Sequence, residues 1–217
     1  MFVSVSSIFS GCCAAELQLD DKKKLVWTGD FQQSDFNRFE EILANNGDIL
    51  ALEIRNSRGG DRKVALSMQA YVSSHDVKTS IRGACISACA LIFLYSKHRE
   101  MLRESGRVTY LQIHGSYKAD GSFINYFDDS ELRVLAERTD GRFPKDLYIK
   151  ARITAHQQGG LFIFDKPWVL RAGSFFAVIC GGLEQRIPAD CQGLPGVSAA
   201  SLGLITVEYH SSEAQPP

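Results

Sequence analysis

The strongest constraint in this sequence is a series of short, nearly continuous apolar runs, each followed by turn residues and then by apolar positions at helical spacing. Ile49–Ile54 is the clearest run, as a strand buried on both faces requires, and Val77–Ile81 and Val108–His114 read as further core strands. Between them lie Arg55-Asn56-Ser57-Arg58-Gly59-Gly60, then Val64, Met68 and Tyr71/Val72 at helical spacing, then Gly83 and a helix over Ser87–Leu94. Upstream, Leu25–Trp27 reads as a strand, and Ser34 offers an N-cap for a helix that places Phe36, Phe39, Ile42 and Leu43 on one face. Alternation of this kind predicts an α/β fold with a mostly parallel sheet. Further on, Asp129–Thr139 predicts a charged amphipathic helix, and Pro144 suits the first turn of a helix running to about His156. From Gly159 the chain is rich in glycine, proline and apolar residues and yields no assignment; residues 176–217 read as a tail.

Composition narrows the function classes. The chain has 217 residues, 45% of them hydrophobic, which suits one domain with a sizeable core. With 24 Lys+Arg against 25 Asp+Glu, no basic face is evident, and a nucleic-acid partner is not expected. No apolar stretch approaches the roughly 18 residues of a spanning helix. Residues 1–15 read as a secretory signal or lipoprotein-like segment, with small residues around Cys12, Cys13, Ala14 and Ala15 near a cleavage point. The basic n-region of such a signal is missing, and a disordered stub is the alternative. Export predicts a periplasmic or otherwise extracytoplasmic protein, with membrane association only if Cys12 is lipidated; a cytoplasmic location is the alternative. The single domain then spans 16–217.

Six cysteines are too few for a disulfide-built scaffold. Cys180 and Cys191 bracket a turn-rich loop and are expected to bridge in an oxidising compartment, adding on the order of 3 kcal/mol. Cys85 and Cys89 are expected to pack as small buried residues, since Cys85 precedes the helix. Cys89 would need its own base to act as a nucleophile. No cysteine or histidine cluster has metal spacing, so neither metal nor cofactor is expected. His75, His98, His156 and His210 read as ordinary surface or loop histidines.

Three features follow one another with chemical meaning. Gly59-Gly60 after a buried strand lets backbone N–H groups approach a ligand with no Cβ in the way. Ser87 sits at a turn-to-helix junction, above N–H groups that favour developing negative charge. His114 ends a buried strand, at the edge where open α/β sheets place their sites. Serine, imidazole and N–H donors together are the minimal kit for acyl transfer. Each also has a structural reading: a common turn, a helix N-cap, and a core histidine bonded to a carbonyl.

The segments Leu52–Gly60, Ile81–Ala90 and Ile113-His114-Gly115 together resemble the Clp-protease/crotonase superfamily. They are most similar to the periplasmic ClpP-like proteins of bacteria, which carry a Cys-x-Ser-Ala-Cys segment like Cys85–Cys89. The resemblance covers roughly residues 25–175. It implies a spiral of ββα units, usually a homo-oligomer, with Ser87 as nucleophile, His114 as base, and Gly60 and Ala88 as oxyanion N–H donors, Gly59 lying beside the substrate. The implied activity is hydrolysis of peptide bonds in a peptide or protein substrate. A catalytically inactive binding or scaffolding protein and a crotonase-type acyl-CoA binder are the alternatives. Two departures stand out. Arg58 replaces the usual proline before Gly-Gly, and the region expected to hold the triad aspartate, Ala155–Phe162, has no carboxylate. Asp165 is the nearest substitute; a Ser–His dyad, or a dyad oriented by a backbone carbonyl, is the other option.

Overall fold

A computed structural model describes residues 14–118, 121–124, 129–154, 156–170, 173–182 and 190–206. Residues 1–13, with Cys12 and most of the signal-like segment, lie outside the described residues, as does His210.

The apolar runs form the parallel centre of one nine-stranded sheet. In chain order the elements begin with β1 (Glu16–Leu19), β2 (Lys24–Thr28), α1 (Gln33–Asn46), β3 (Ala51–Ser57), α2 (Arg62–Ser74), β4 (Lys78–Ile86) and α3 (Ala88–Tyr95). Next come β5 (Arg99–Met101), β6 (Tyr110–Ile113), the short pair β7 (Ser116–Tyr117) and β8 (Phe123–Ile124), then α4 (Asp129–Arg138) and α5 (Lys145–Arg152). The chain closes with β9 (Gly160–Leu170), β10 (Gly173–Cys180) and β11 (Cys191–Gly193). The sheet order is β1-β2-β3-β4-β6-β9-β10-β11, with β5 added to β4. Pairing is parallel from β2 through β6 and antiparallel at both flanks. The α/β class with a mostly parallel central sheet is therefore the observed architecture.

The helices form where the periodicity placed them, with shifts at their ends. α1 starts at Gln33, one residue before Ser34, because the Gln32 carbonyl already accepts from the Asp35 and Phe36 N–H groups. Its apolar face packs Phe39 against Trp27, with ring centroids 6.3 Å apart, and against Tyr71 of α2 at 5.1 Å. α2 is capped by Asp61, whose carboxylate accepts from the N–H groups of Lys63 and Val64. α3 is apolar all round and buried, as a helix clasped between sheet and neighbouring helices must be. α5 stops at Arg152 rather than His156; Thr154 turns back onto the Ala151 carbonyl, and Gly159 closes a turn on His156.

The stretch after Gly159 is a long antiparallel hairpin. Leu161–Phe164 is buried on both faces, so its apolar run has no alternation to read. Pro167, which argues against a central strand, falls where the β9–β10 register shifts between Ala177 and Phe175, a position that tolerates a missing N–H. Cys180 and Cys191 face each other across β10 and β11 and are joined by a disulfide.

Two buried charges hold the sheet and the C-terminal segment. Glu53, fully buried on β3, meets Lys24 at 2.5 Å, Arg55 at 2.7 Å and Arg82 at 2.9 Å. Burial alone would raise its pKa, but the hydrogen bonds from those cations outweigh it and bring the carboxyl down to about 2. Arg99, 1% exposed, makes no salt bridge to a carboxylate among the described residues. Its guanidinium donates instead to the carbonyls of Leu204, Gly203, Arg138 and Ser96. Burial, followed by the charges of Arg138 and Arg142, lowers its pKa to about 10, so it remains charged at neutrality. Replacing it with methionine strands several buried carbonyls, each costing about 1–3 kcal/mol. Arg99→Met is expected to lose roughly 3–5 kcal/mol of stability, read as a lower denaturant midpoint at unchanged m-value; a shift of less than about 1 kcal/mol would contradict the clamp.

Candidate active site

Ser87 occupies the junction between β4 and α3 in a conformation that L residues rarely adopt, φ 58° and ψ −116°. Such a backbone persists only where its surroundings fix it, and here three do. The Ser87 N–H donates to the Gln112 carbonyl of β6 at 3.1 Å. Its carbonyl accepts from Leu91 N–H in the first turn of α3. On the third side stands Gly59, where an added Cβ would lie 2.9 Å from the Ser87 Cβ and 3.1 Å from the Ala88 nitrogen. Only glycine permits that approach. Gly60 has the same need for another reason: its missing Cβ would meet the Phe31 carbonyl oxygen at 2.1 Å. Gly59 and Gly60 thus lie where the loop after β3 crosses the Ser87 elbow. Ala88 is the first residue of α3, so its N–H has no intrahelical acceptor.

Cys85 and Cys89 are joined by a disulfide, with Cα atoms 5.2 Å apart. The expectation that they pack as separate thiols is corrected: the sharp turn at Ser87 folds the end of β4 back over the start of α3, which brings the pair within bonding distance. Both residues are fully buried.

His114 follows β6 and is 7% exposed. Its Nδ1 lies 2.7 Å from the Gly115 carbonyl oxygen. An acceptor there requires the proton on Nδ1, which leaves Nε2 with the free lone pair. Burial lowers the imidazole pKa to about 4; the Gly115 carbonyl opposes this shift and the Arg152 charge adds to it. The ordinary value near 6.5 therefore does not apply. Arg152, 5% exposed, donates to the His114 carbonyl at 2.7 Å and pairs with Glu131 at 3.3 Å; Glu131 also accepts from the Tyr148 hydroxyl.

Ser87 and His114 line one cavity of about 640 Å³ together with Asp30, Arg58, Gln112 and Tyr117. They share no hydrogen bond. Arg58, at the proline position, turns outward and makes a two-pronged pair with Asp30, at 3.1 Å from Nε and 2.8 Å from Nη2. The Asp30 carboxylate also accepts the Arg58 backbone N–H at 2.6 Å. The Arg58 charge is thus a rim feature that braces the glycine loop. Ser87 also borders a second cavity of about 190 Å³, walled by Ala65, Leu66, Leu91 and Ile124.

Asp165 is not brought to His114. It lies beside Thr109, five residues before His114, with its carboxylate accepting the Thr109 N–H at 3.0 Å. Five residues of strand span roughly 15 Å. The antiparallel register of β6 and β9 is the reason: it sets Leu161, not Asp165, against Ile113. Among the described residues no carboxylate hydrogen-bonds the His114 ring; its Nδ1 partner is the Gly115 carbonyl. Sequence reasoning did not single out Arg152, Glu131 or Gln112. Gln112 alone left a signal, a polar residue inside an apolar strand run, and it ties β6 to the carbonyls of Gln157 and Gly159 at 3.2 and 2.7 Å.

No family model matches the chain, and no curated protein matches it. Solved structures do. One is a serine-to-alanine mutant of 1510-N membrane-bound stomatin-specific protease, 14% identical, with 54% of this chain matched to 61% of that one at a TM-score of 0.37. Another is a lysine-to-alanine mutant of 1510-N membrane-bound stomatin-specific protease in complex with a substrate peptide, also 14% identical, with 54% of this chain matched to 58% of that one at a TM-score of 0.38. The match spans about three-fifths of the length of either protein.

The depressed histidine makes a direct prediction. Because the folded state holds this proton less tightly than the unfolded chain, stability from His114 is present above pH 6.5 and is lost as pH falls through about 4. The full effect is on the order of 3 kcal/mol. NMR titration of the His114 ring is expected to give a midpoint near 4; a midpoint at or above 6.5 would contradict the buried neutral imidazole.

Proposed function

We propose that this protein is a serine hydrolase of the Clp-protease/crotonase type that cleaves peptide bonds through a Ser87–His114 dyad. The observation that carries the reading is the convergence, in one cavity, of a serine on a strained strand-to-helix turn and a neutral histidine with a free Nε2. In this reading Nε2 takes the Ser87 proton as Oγ attacks the substrate carbonyl. The new oxyanion turns toward the N–H groups of Ala88 and Gly60, and Gly59 keeps the approach open. The proton then passes from Nε2 to the leaving amine, and a water repeats the sequence to release the acyl group. The Gly115 carbonyl holds Nδ1–H throughout, so it does the orienting that a carboxylate does in a triad.

An imidazole with a pKa near 4 is neutral throughout the physiological range but a weak base. Negative charge developing on the substrate oxygen offsets this by stabilising the imidazolium as it forms. We further read the protein as exported and self-associating, with an extended peptide as substrate. The second reading, a binding protein on the same scaffold, is favoured by the lack of any carboxylate on His114 among the described residues.

A fluorophosphonate probe separates the two, since it forms a stable adduct only with an activated serine. The hydrolase reading predicts labelling at Ser87, abolished by Ser87→Ala and nearly abolished by His114→Ala, because members of one catalytic unit are strongly non-additive. Asp165→Asn is expected to change labelling less than about 3-fold, where an orienting aspartate would cost about 10⁴-fold. An unlabelled wild-type protein would leave the binding protein standing.

A further inference from the structure

We infer that the Cys85–Cys89 disulfide is a positioning device for Ser87, a covalent clasp that holds the nucleophile turn in its reactive geometry and makes the site's reactivity depend on the oxidation state of that pair. The inference rests on the reading of Ser87 as nucleophile given above. Three observations carry it. The bond links the end of β4 to the first turn of α3 and encloses Ser87 at the centre of a five-residue loop, Cys85-Ile86-Ser87-Ala88-Cys89. Ser87 itself has positive φ with ψ −116°, a conformation whose cost must be met by its surroundings. The other supports are non-covalent: one hydrogen bond to Gln112, one from Leu91, and the contact with Gly59.

The two disulfides of the chain sit differently. Cys180–Cys191 joins neighbouring strands already paired by backbone hydrogen bonds. In contrast, Cys85, paired with Ser57 and Leu111 in the sheet, and Cys89, in the first turn of α3, belong to different elements, so the bond closes the turn between them. Cutting it frees ψ of Ile86 and φ of Ser87 to relax toward an ordinary helix N-cap. That relaxation turns the Ser87 hydroxyl and the Ala88 N–H away from their common focus. The chemistry of opening is thiol–disulfide exchange. A dithiol reductant attacks one sulfur and forms a mixed disulfide, then closes on itself, leaving Cys85 and Cys89 as thiols with the two electrons and two protons it gave up. Both cysteines are fully buried, so exchange needs local opening of the turn and is slower than at Cys191, which is partly exposed.

The test measures the inactivation of the full chain by a fluorophosphonate, resolved into a maximal rate and a half-saturating concentration, beside thermal denaturation. The variants are Cys85→Ala/Cys89→Ala and, as the control for losing any disulfide, Cys180→Ala/Cys191→Ala. The expected result is a fall of at least 10-fold in the maximal rate for the first pair, with little change in half-saturation, and a change under 2-fold for the control. If the first variant does not fold, wild type treated with dithiothreitol is followed by mass spectrometry, and loss of labelling must track the appearance of thiols at Cys85 and Cys89. Undiminished labelling with that pair open or replaced overturns the inference and leaves the hydrolase reading intact. Absent labelling of untreated wild type counts against the hydrolase reading instead.

Discussion

Everything proposed for this protein depends on one backbone event, the reversal at Ser87. There β4 leaves the sheet and α3 begins within a single residue, and that residue carries φ 58°. The turn is possible because Gly59 has no side chain to collide with it and because Gln112, one strand over, accepts its N–H. A parallel sheet supplies both neighbours without special arrangement. β3 delivers the glycine loop on one side of β4, and β6 delivers Gln112 and His114 on the other. The site is therefore a property of sheet order β3-β4-β6 as much as of the residues themselves.

The electrostatics follow from the same placement. His114 lies buried just past the end of β6, and Arg152 donates to its backbone carbonyl. Burial and a nearby guanidinium both disfavour the imidazolium, and the Gly115 carbonyl only partly compensates. The imidazole is thus kept neutral by its surroundings down to about pH 4. Glu53 illustrates the opposite outcome within the same sheet: three cations surround a fully buried carboxylate and hold it ionised. Desolvation acts on both groups, and the number of hydrogen-bonding partners decides which form survives.

Much of this was legible in the sequence, for identifiable reasons. The central strands were legible because apolar residues such as Leu52, Ile54, Ile81, Leu111 and Ile113 recur between turn residues, and α2 followed from the spacing of Val64, Met68 and Val72. Ser87 and His114 stand out in the sequence because chemically active residue types lie at element ends, and the structure places both on one cavity. The hairpin of β9 and β10 was hidden by its continuous apolar run and by Pro167, whose tolerance depends on a register shift that no local pattern encodes. Asp165 was misjudged for a related reason: distance along the chain from His114 says nothing about antiparallel register, and the register carries it to Thr109. The Cys85–Cys89 bond escaped because spacing alone does not specify a turn with positive φ between the two thiols. Arg152 and Glu131 were invisible because a buried ion pair on two helices looks, in sequence, like any solvent-facing charges.

The most direct test of the central claim is a crystal structure of the protein after reaction with a small fluorophosphonate. A Ser87–His114 dyad predicts phosphorus bonded to Ser87 Oγ, a phosphonyl oxygen within about 2.7–3.1 Å of the Gly60 and Ala88 nitrogens, and His114 Nε2 turned toward Oγ with Nδ1 still on the Gly115 carbonyl. An adduct on any other residue, or one at Ser87 with the imidazole facing away and the phosphonyl oxygen in solvent, would contradict it.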